Sequence, residues 1–336
     1  MKRATALFLL LAWPASAGGP RPAFYYWKTR WSPLPELLRA LSDAGAGRLY
    51  LRFFDVKAGV GGPHPVAPLA MDGPLPEAVD VVPVVFFSNA VFERSNDMGA
   101  LAEKVWMKVE RMSERQGIRF RQLQVDCDWT DGTRVRFFAF VAALRKLSSR
   151  RGVALSATIR LHQIKYRRRT GVPPVDRGML MFYNVGRIEA AGPRNSIYND
   201  ADAAKYASSI ADYPLPLDVA LPVFSWAVHS RGGRVVGLLA GVDAADFASS
   251  GGVASLGGAT YRAAKSFFFR GRYLKEGDSL RFETMDPVGT RAAAAQVVAG
   301  AGKGKAFGTV AFFDLDVGRL KRYVPSDFQA ILRVFR

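Results

Sequence analysis

The feature that most constrains the fold of this chain is a regular alternation of short apolar runs with helical patterns. Eight runs are rich in β-branched and aromatic residues and are flanked by loop-forming residues, which is typical of buried strands. The eight runs comprise residues 23–27, 48–55, 79–87, 121–128, 153–160, 178–184, 217–226 and 308–314.

Apolar residues at helical spacing follow several of these runs. Leu101, Val105 and Val109, for example, recur on one face of a predicted helix. The predicted helices comprise residues 34–44, 98–116, 134–149, 201–210 and 325–335. Strands that alternate with helices predict a parallel sheet, and near-continuous apolar strands predict burial on both faces. Eight such units predict an α/β fold, namely a single (β/α)8 TIM barrel over residues 18–336.

Two connections depart from this regularity. Residues 56–78 are rich in Gly and Pro and show no helical pattern, and residues 227–307 are too long for a simple loop. The second stretch contains helical patterns at residues 242–248, 261–268 and 290–299, and a hairpin-like pair at residues 269–274 and 279–283. We therefore expect a small α/β insertion, residues 227–290, between strands seven and eight at the barrel mouth.

The N-terminal residues 1–17 have the pattern of a secretory signal peptide. Lys2 and Arg3 precede a short apolar run, and Pro14 and three small residues end the segment. The run is shorter than the ~20 residues that span a bilayer, although an uncleaved anchor is the alternative. We expect cleavage after Ala17, export to the periplasm or the extracellular space, and no stable membrane insertion of the mature chain.

The chain is strongly basic, with 47 Lys and Arg against 29 Asp and Glu, a net charge of +18. An exported basic protein favours anionic neighbours such as envelope polymers, phospholipid headgroups or polyanionic glycans, and we do not expect a nucleic-acid partner. The densest cluster is Lys165, Arg167, Arg168 and Arg169. Such clusters are also typical of ordinary solvated surfaces, and the sequence leaves the oligomeric state open.

The few cysteine and histidine residues limit which disulfides, metal sites and thiol nucleophiles are possible. One cysteine excludes a disulfide scaffold, and three scattered histidines lack the spacing of a zinc site. We therefore expect neither a metal site nor another cofactor. Cys127 and His162 could suggest a thiol nucleophile, but strand alternation turns Cys127 toward the helices, where a small apolar role is typical.

In a (β/α)8 barrel the functional site lies at the C-terminal ends of the strands, so polar strand ends are the candidates. Alternation along the fourth run places Gln124, Asp126 and Asp128 on one face, toward the barrel interior. Carboxylates at this spacing lie ~6–7 Å apart, and one raises the pKa of the other, which yields an acid and a base. The alternative is a scaffold role with buried Asp held by cations or backbone donors.

The other strand ends add candidates for substrate binding. Trp27 and Trp31 lie near the end of the first strand. The candidates at later strand ends are Asp55, Arg160, Tyr183, Asn184, Trp226 and Asp314. Each aromatic residue alone is typical of a core. Combined with the paired aspartates, aromatic rings that can stack on the apolar faces of sugars indicate a glycan-binding groove.

Four of these strand ends resemble, in order, the motifs of family-18 glycoside hydrolases, the chitinase-like barrels. Residues 126–130 (DCDWT) resemble D-x-D-W-E on strand four, and residues 181–184 (MFYN) resemble M-x-Y-D on strand six. Residues 221–224 (LPVF) resemble L-P-x-Y on strand seven, and residues 308–316 (GTVAFFDLD) resemble G-G-x-x-x-W-x-x-D on strand eight. The resemblance spans essentially the whole mature chain and implies the same barrel and a polysaccharide ligand.

The chain departs from that family at catalytic positions. In the family, the Glu after D-x-D-W protonates the glycosidic oxygen, and the preceding Asp orients the acetamido group of the substrate. Thr130 stands at the Glu position, and a hydroxyl cannot serve as that acid. Asn184 replaces the Asp of strand six, and Phe313 replaces the Trp of strand eight.

Three interpretations of the site stay open. In the first interpretation, the site has shifted inward, with Asp128 as the acid and Asp126 as its partner. In the second, another carboxylate, such as Asp55, Glu93 or Asp314, supplies the proton. In the third interpretation, the barrel binds a glycan without cutting it.

The leading hypothesis is an exported glycoside-hydrolase-like protein that acts on a polysaccharide, with N-acetylated polymers among the candidates. Asp128 and Asp126 would form the acid/base pair, and Tyr183 would donate a hydrogen bond near the anomeric centre. The alternative is a non-catalytic glycan-binding barrel of the cell envelope. A third hypothesis is a structural envelope protein that uses its basic surface.

Overall fold

The computed structural model describes residues 19–336, so the signal peptide predicted for residues 1–17 lies outside the described residues. The strands in this part of the chain are β1 (Arg21–Tyr26), β2 (Arg30–Trp31), β3 (Arg48–Gly59), β4 (Gly62–Val66), β5 (Ala70–Met71), β6 (Asp80–Phe87), β7 (Gln122–Cys127), β8 (Ala154–Arg160), β9 (Arg177–Met181), β10 (Leu217–Pro222), β11 (Ser225–Arg231), β12 (Arg234–Ala240), β13 (Val253–Ser255), β14 (Thr260–Ala263), β15 (Phe267–Phe269), β16 (Arg272–Leu274), β17 (Ser279–Thr284) and β18 (Thr309–Phe313). The helices are α1 (Pro35–Asp43), α2 (Ala90–Arg94), α3 (Met98–Arg115), α4 (Arg134–Arg150), α5 (Leu161–Lys165), α6 (Arg167–Thr170), α7 (Asp200–Ala207), α8 (Ala244–Ser249), α9 (Pro287–Ala301), α10 (Val317–Leu320) and α11 (Pro325–Arg333).

Eight parallel strands form a closed barrel. Their order around the barrel is β1, β3, β6, β7, β8, β9, β10 and β18, and β1 pairs with both β3 and β18. Each strand coincides with one of the eight predicted runs, so the predicted (β/α)8 barrel is confirmed. Every residue of β7 and of β10 is buried, because side chains fill the barrel on one face and meet helices on the other.

The helices form the outer layer, and α3 shows why the sequence makes them. The Asp97 side chain accepts a hydrogen bond from the backbone amide of Ala100, which satisfies a free N–H of the first turn. Leu101, Val105 and Val109 form a buried stripe on one face. The helix therefore begins at its cap and buries this stripe against the rest of the fold.

The connection between β10 and β18 contains a five-stranded sheet, in the order β12, β11, β17, β14, β13, with antiparallel pairing. We call β11 to β17, with α8, the insertion. It has a core of its own, formed by Ala227, Leu239, Val242, Phe247, Ala263, Phe269, Leu274 and Leu280. The insertion starts directly after the C-terminal end of β10, and α9 returns the chain to the barrel layer.

Two predictions inside the insertion are wrong. Residues 261–268 form no helix, because they belong to β14 and β15 and the bend between them. The predicted hairpin partner is also different: β16 pairs with β15, whereas β17 pairs with β11 and β14. Arg270 and Gly271, at φ 47° and 76°, form the tight turn between β15 and β16. Such a turn matches the right-handed twist of antiparallel strands.

A buried ion pair links β9 to β10. The Nε and Nη2 groups of Arg177 donate hydrogen bonds to the carboxylate of Asp218, at 3.0 and 2.8 Å, and the Asp218 side chain is 1% exposed. The Arg177 side chain is 23% exposed, so it can still reach water. Loss of Arg177 should therefore destabilise the fold more than loss of the Asp218 charge.

We expect Arg177→Ala to lower the free energy of unfolding by about 3–5 kcal/mol at neutral pH, because it leaves a buried carboxylate without a partner. Asp218→Asn should cost less, since Arg177 can be hydrated. Denaturant unfolding measures both changes. Arg145→Ala breaks an exposed pair with Asp176 and serves as the control, with an expected loss of at most about 1 kcal/mol. A larger loss for Asp218→Asn than for Arg177→Ala would contradict this account.

Candidate functional site

A cavity of about 500 Å³ opens at the C-terminal ends of the barrel strands, where the insertion also begins. Eight of the residues predicted from strand ends line it: Trp27, Asp55, Asp126, Arg160, Tyr183, Asn184, Trp226 and Asp314. A larger groove of about 690 Å³ lies near the opposite strand ends, between α1 and residues 74–79. No titratable side chain lines that groove, so the mouth cavity is the better candidate for a functional site.

Asp126 points into the barrel, as strand alternation predicts. Its neighbour on the same face, Gln124, accepts a hydrogen bond from the hydroxyl of Tyr25 at 2.6 Å across the interior. The Oδ1 atom of Asp126 accepts from the Thr158 hydroxyl at 2.6 Å and from Arg160 at 3.3 Å. Burial raises the pKa of Asp126, although the Arg160 guanidinium opposes the shift.

Asp128 lies at the rim and does not line the cavity. It follows the last residue of β7, and its side chain is 57% exposed, whereas that of Asp126 is 3% exposed. The Nε group of Arg160 donates to Asp128 Oδ1. The structure thus separates the two predicted acids into a buried one and an exposed one, and the same guanidinium binds both.

Arg160 holds this part of the site together. Burial by itself would lower the pKa of the guanidinium, but Asp126, Tyr183 and Asp128 together raise it above its ordinary value. Burial also raises the pKa of the Tyr183 hydroxyl, and Arg160 opposes that shift. Arg160 therefore remains a cation that two carboxylates and a neutral phenol surround.

A β-bulge positions a second Asp–Arg pair. Arg52 pairs with Val84, but the next partner, Val85, pairs with Phe54, so Phe53 is an extra residue in β3. Strict alternation would place Arg52 and Asp55 on opposite faces, and the extra residue brings them to the same face. Two hydrogen bonds of 2.6 and 2.8 Å then join the guanidinium to the carboxylate, and both side chains line the cavity.

A third pair lies at the end of β18. Asp314 is 4% exposed and accepts a hydrogen bond from Arg319, whose helix α10 begins three residues after Asp314. Asp316 caps α10 through the Arg319 amide and also binds Lys28 at 2.7 Å. These contacts fix the β18 end against the β1 end and place Asp314 and Arg319 on the cavity wall.

Aromatic rings form a continuous wall of the cavity. Trp27 contacts Phe313 with 5.6 Å between ring centroids, and Phe313 contacts Tyr183 at 5.3 Å. Tyr183 contacts Phe224 at 5.5 Å, and Phe224 contacts Trp226 at 5.4 Å. Asn184 adopts a left-handed backbone conformation, φ 56°, which turns the chain away directly after Tyr183. Four of the five rings lie at the ends of four barrel strands, and Trp226 lies in the first strand of the insertion.

Sequence reasoning missed Glu283, on β17. It is 3% exposed, and its Oε2 atom accepts hydrogen bonds from the Trp226 indole at 2.7 Å and from the Ser196 hydroxyl at 2.5 Å. Arg281 donates to the other oxygen. No local signal in the sequence could have found this contact, because it depends on the pairing of β17 with β11.

Thr130, at the position of the family's catalytic Glu, does not line the cavity. Its hydroxyl lies 3.4 Å from the side-chain nitrogen of Asn89 and 3.3 Å from the Thr133 hydroxyl. The preceding Trp129 is fully buried, where its indole donates to the Thr170 carbonyl oxygen at 2.9 Å. Trp129 and Thr130 therefore stabilise the connection between β7 and α4.

Three other residues considered from the sequence lie outside the cavity. Trp31 is fully buried, and its indole donates to the Pro74 carbonyl oxygen at 3.2 Å, so it is a core residue and its predicted contact with substrate is wrong. Glu93 is exposed on α2 and does not line the cavity. Cys127 is fully buried, and burial raises the pKa of its thiol, which agrees with the small apolar role expected for it.

Two kinds of feature are absent from residues 19–336. No group of three or more His, Cys, Asp or Glu side chains there is arranged to hold a metal ion. No helix in that range combines the length and the hydropathy needed to cross a membrane.

The closed barrel shares its fold with several solved structures, among them chitinases and chitinase-like proteins. The spore cortex-lytic enzyme SleL of Bacillus megaterium matches with 13% identity over 95% of this chain and 74% of that chain, TM-score 0.56. A chitinase-like agglutinin from Robinia pseudoacacia matches with 14% identity over 94% and 99%, TM-score 0.52. A group IV chitinase from Ostrinia furnacalis matches with 10% identity over 94% and 99%, TM-score 0.51. No protein-family model and no curated protein match the sequence. The likeness therefore establishes the fold.

We expect Arg160→Gln to raise the pKa of Asp126 further, because the variant removes the cation that opposes the effect of burial. Burial disfavours the ionised form of a carboxyl in the folded protein. The folded protein therefore loses stability as pH rises through the raised pKa. Relative to wild type, Arg160→Gln should therefore lose stability as pH rises. Carboxyl carbon NMR titration, assigned with Asp126→Asn, measures the shift. Arg145→Gln is the control, and an unchanged or lowered pKa in Arg160→Gln would contradict the arrangement.

Proposed function

We propose that the barrel mouth binds a glycan chain without hydrolysing it. The observation that carries this proposal is the combination of a continuous aromatic wall with three Asp–Arg pairs in one cavity. A sugar ring presents apolar C–H faces and polar hydroxyls, and it needs both kinds of partner. A cavity for an apolar ligand would not place so many charged groups beside its aromatic rings.

The Asp–Arg pairs suit hydroxyl groups because their hydrogen-bonding capacity is only partly used. An ionised carboxylate can accept about four hydrogen bonds, and a guanidinium has five N–H donors. A sugar hydroxyl both donates and accepts, so it can bridge the two members of a pair. Because each pair is already fixed inside the protein, as Arg52 fixes Asp55, the ligand has less ordering to do on binding.

The side chains near the mouth argue against a proton donor like that of family-18 glycoside hydrolases. Thr130 stands at the position of the acid and lies outside the cavity. Asp128 is exposed, lies outside the cavity and accepts a hydrogen bond from Arg160. Asp55 and Asp314 are likewise held by arginines. The agglutinin among the structural neighbours indicates that this fold also occurs in a protein named for agglutination.

The proposal also includes the location of the protein and the class of its ligand. We place the protein in the periplasm or outside the cell, because residues 1–17 have the pattern of a cleaved signal peptide. A polysaccharide of the cell envelope or the surroundings is the proposed ligand. The net charge of +18 adds anionic envelope polymers as further partners.

Hydrolysis is the second candidate, and the burial of Asp126 favours it. Burial raises the pKa of this carboxyl, which lies in the cavity next to Tyr183. A protonated Asp126 could donate its proton to the glycosidic oxygen while the bond to the anomeric carbon breaks. Water would then add to that carbon and lose a proton to the Asp126 carboxylate. Such activity would require the protonated form, so it would fall as pH rises through the pKa of Asp126.

We expect the full chain to bind chitohexaose, used as a probe oligosaccharide, and Trp226→Ala and Trp27→Ala to weaken the binding about tenfold each, equivalent to ~1.4 kcal/mol. Isothermal titration calorimetry measures the affinity. Tyr166→Ala, which removes an exposed ring that does not line the cavity, should leave it unchanged.

A reducing-end assay on the same mixtures separates the two candidates. The binding proposal predicts no released sugar after long incubation. Release by the wild-type protein that Asp126→Asn abolishes would establish the second candidate. Affinity that both tryptophan variants leave unchanged would remove the mouth cavity as the binding site.

A further inference from the structure

The β15–β16 hairpin exposes two aromatic rings at the surface of the insertion. Phe268 is 74% exposed and Tyr273 is 49% exposed, and they are cross-strand partners with ring centroids 5.4 Å apart. The neighbouring Phe269 and Leu274 are buried in the core of the insertion. The hairpin therefore has an inner face that anchors it and an outer face with an apolar pair that covers nothing in the described part of the chain.

Contacts at the turn hold the hairpin in one orientation. Arg270 donates hydrogen bonds to the Gly241 carbonyl oxygen at 2.5 Å and to Asp246 at 2.6 Å. Gly241 follows Ala240, which lines the mouth cavity. The exposed pair thus belongs to a fixed structure at the side of the barrel mouth.

Cations outnumber anions around this pair, although exposed Glu276 directly follows Lys275 and Asp246 binds Arg270. Residues 260–275 contain five cations and no Asp, Glu, Asn or Gln. Only one of these cations, Arg270, has an ion-pair partner among residues 19–336. The other four are exposed and unpaired there: Arg262, Lys265, Arg272 and Lys275.

We propose that this hairpin docks peripherally on an anionic lipid surface. Phe268 has no polar group and would enter the boundary between headgroups and acyl chains, while Tyr273 would keep its hydroxyl among the headgroups. The unpaired cations would contact lipid phosphates, to which a negatively charged leaflet attracts them. This inference is independent of what the mouth cavity binds.

The composition of the hairpin favours a lipid surface over a glycan. The mouth cavity has carboxylates and an amide that can bind sugar hydroxyls, whereas residues 260–275 have none. The rings of Phe268 and Tyr273 are also inclined by 56°, so they form no flat platform for a sugar. Cations beside an apolar ring match the phosphate and hydrocarbon layers of a membrane surface.

Vesicle co-sedimentation of the full chain tests the inference. We expect binding to vesicles of equal parts phosphatidylcholine and phosphatidylglycerol, and little binding to phosphatidylcholine alone. Replacing both rings, Phe268→Ala with Tyr273→Ala, should weaken binding about tenfold. Reversing two charges, Arg272→Glu with Lys275→Glu, should weaken it at least as much, and added salt should weaken the binding of the wild type.

A matched control separates the hairpin from the general positive charge of the protein. Tyr166 is 48% exposed and lies beside Lys165 and Arg169, so Tyr166→Ala with Arg168→Glu changes a comparable surface elsewhere. This variant should bind vesicles like the wild type. Tyr273→Trp should show a blue shift of its fluorescence on anionic vesicles, because the ring would leave water.

Three outcomes would overturn the inference: no vesicle binding, equal losses in the control and the hairpin variants, or displacement from vesicles by soluble chitohexaose. The side chains replaced in the hairpin and control variants are exposed, and unchanged thermal unfolding of each variant confirms that it folds. Loss of chitohexaose binding by the cavity variants Trp27→Ala and Trp226→Ala, with vesicle binding intact, would show that the two sites fail independently.

Discussion

The arrangement of the barrel mouth depends on the charge of Arg160. This guanidinium lies where β8 ends, and the carboxylates of Asp126 and Asp128, both from the end of the neighbouring strand β7, balance it. A buried cation without such partners would be costly, so the three groups constrain one another. Burial raises the pKa of Asp126 and of Tyr183, and this cation opposes both shifts. The chemistry available to the mouth is therefore set by an ion-pair cluster.

The insertion completes the cavity and also gives the protein a second surface. Trp226 and Ala240 come from its first two strands, and Glu283 from its last strand fixes the Trp226 indole. Because Glu283 also accepts from Ser196, the insertion is tied to the β9–α7 connection of the barrel. The same small domain presents the exposed pair of the β15–β16 hairpin. One insertion thus shapes the proposed glycan site and carries the hairpin of the proposed lipid contact.

The errors of sequence reasoning have specific physical causes. Residues 261–268 have apolar spacing compatible with a helix, but the aromatic run pairs across a tight turn, and strand pairing outweighs a weak periodic signal. Asp128 was expected beside Asp126, yet β7 ends at Cys127, so alternation no longer holds one residue later. Trp31 was counted among exposed aromatics although its indole has a buried backbone partner. Arg52 and Asp55 meet only because of a bulge that no pattern in the sequence marks.

The sequence by itself determined the barrel, because eight buried strands and their amphipathic helices are encoded in local periodicity, and the chain order of parallel strands leaves few other topologies. It also determined most residues of the mouth, since strand ends converge in this architecture. Only the tertiary structure decided which acid is buried, which arginine binds each acid, and which aromatic rings form the wall. Those properties depend on contacts between residues far apart in the chain, such as Trp226 with Glu283, and their energies arise from burial that no local pattern encodes.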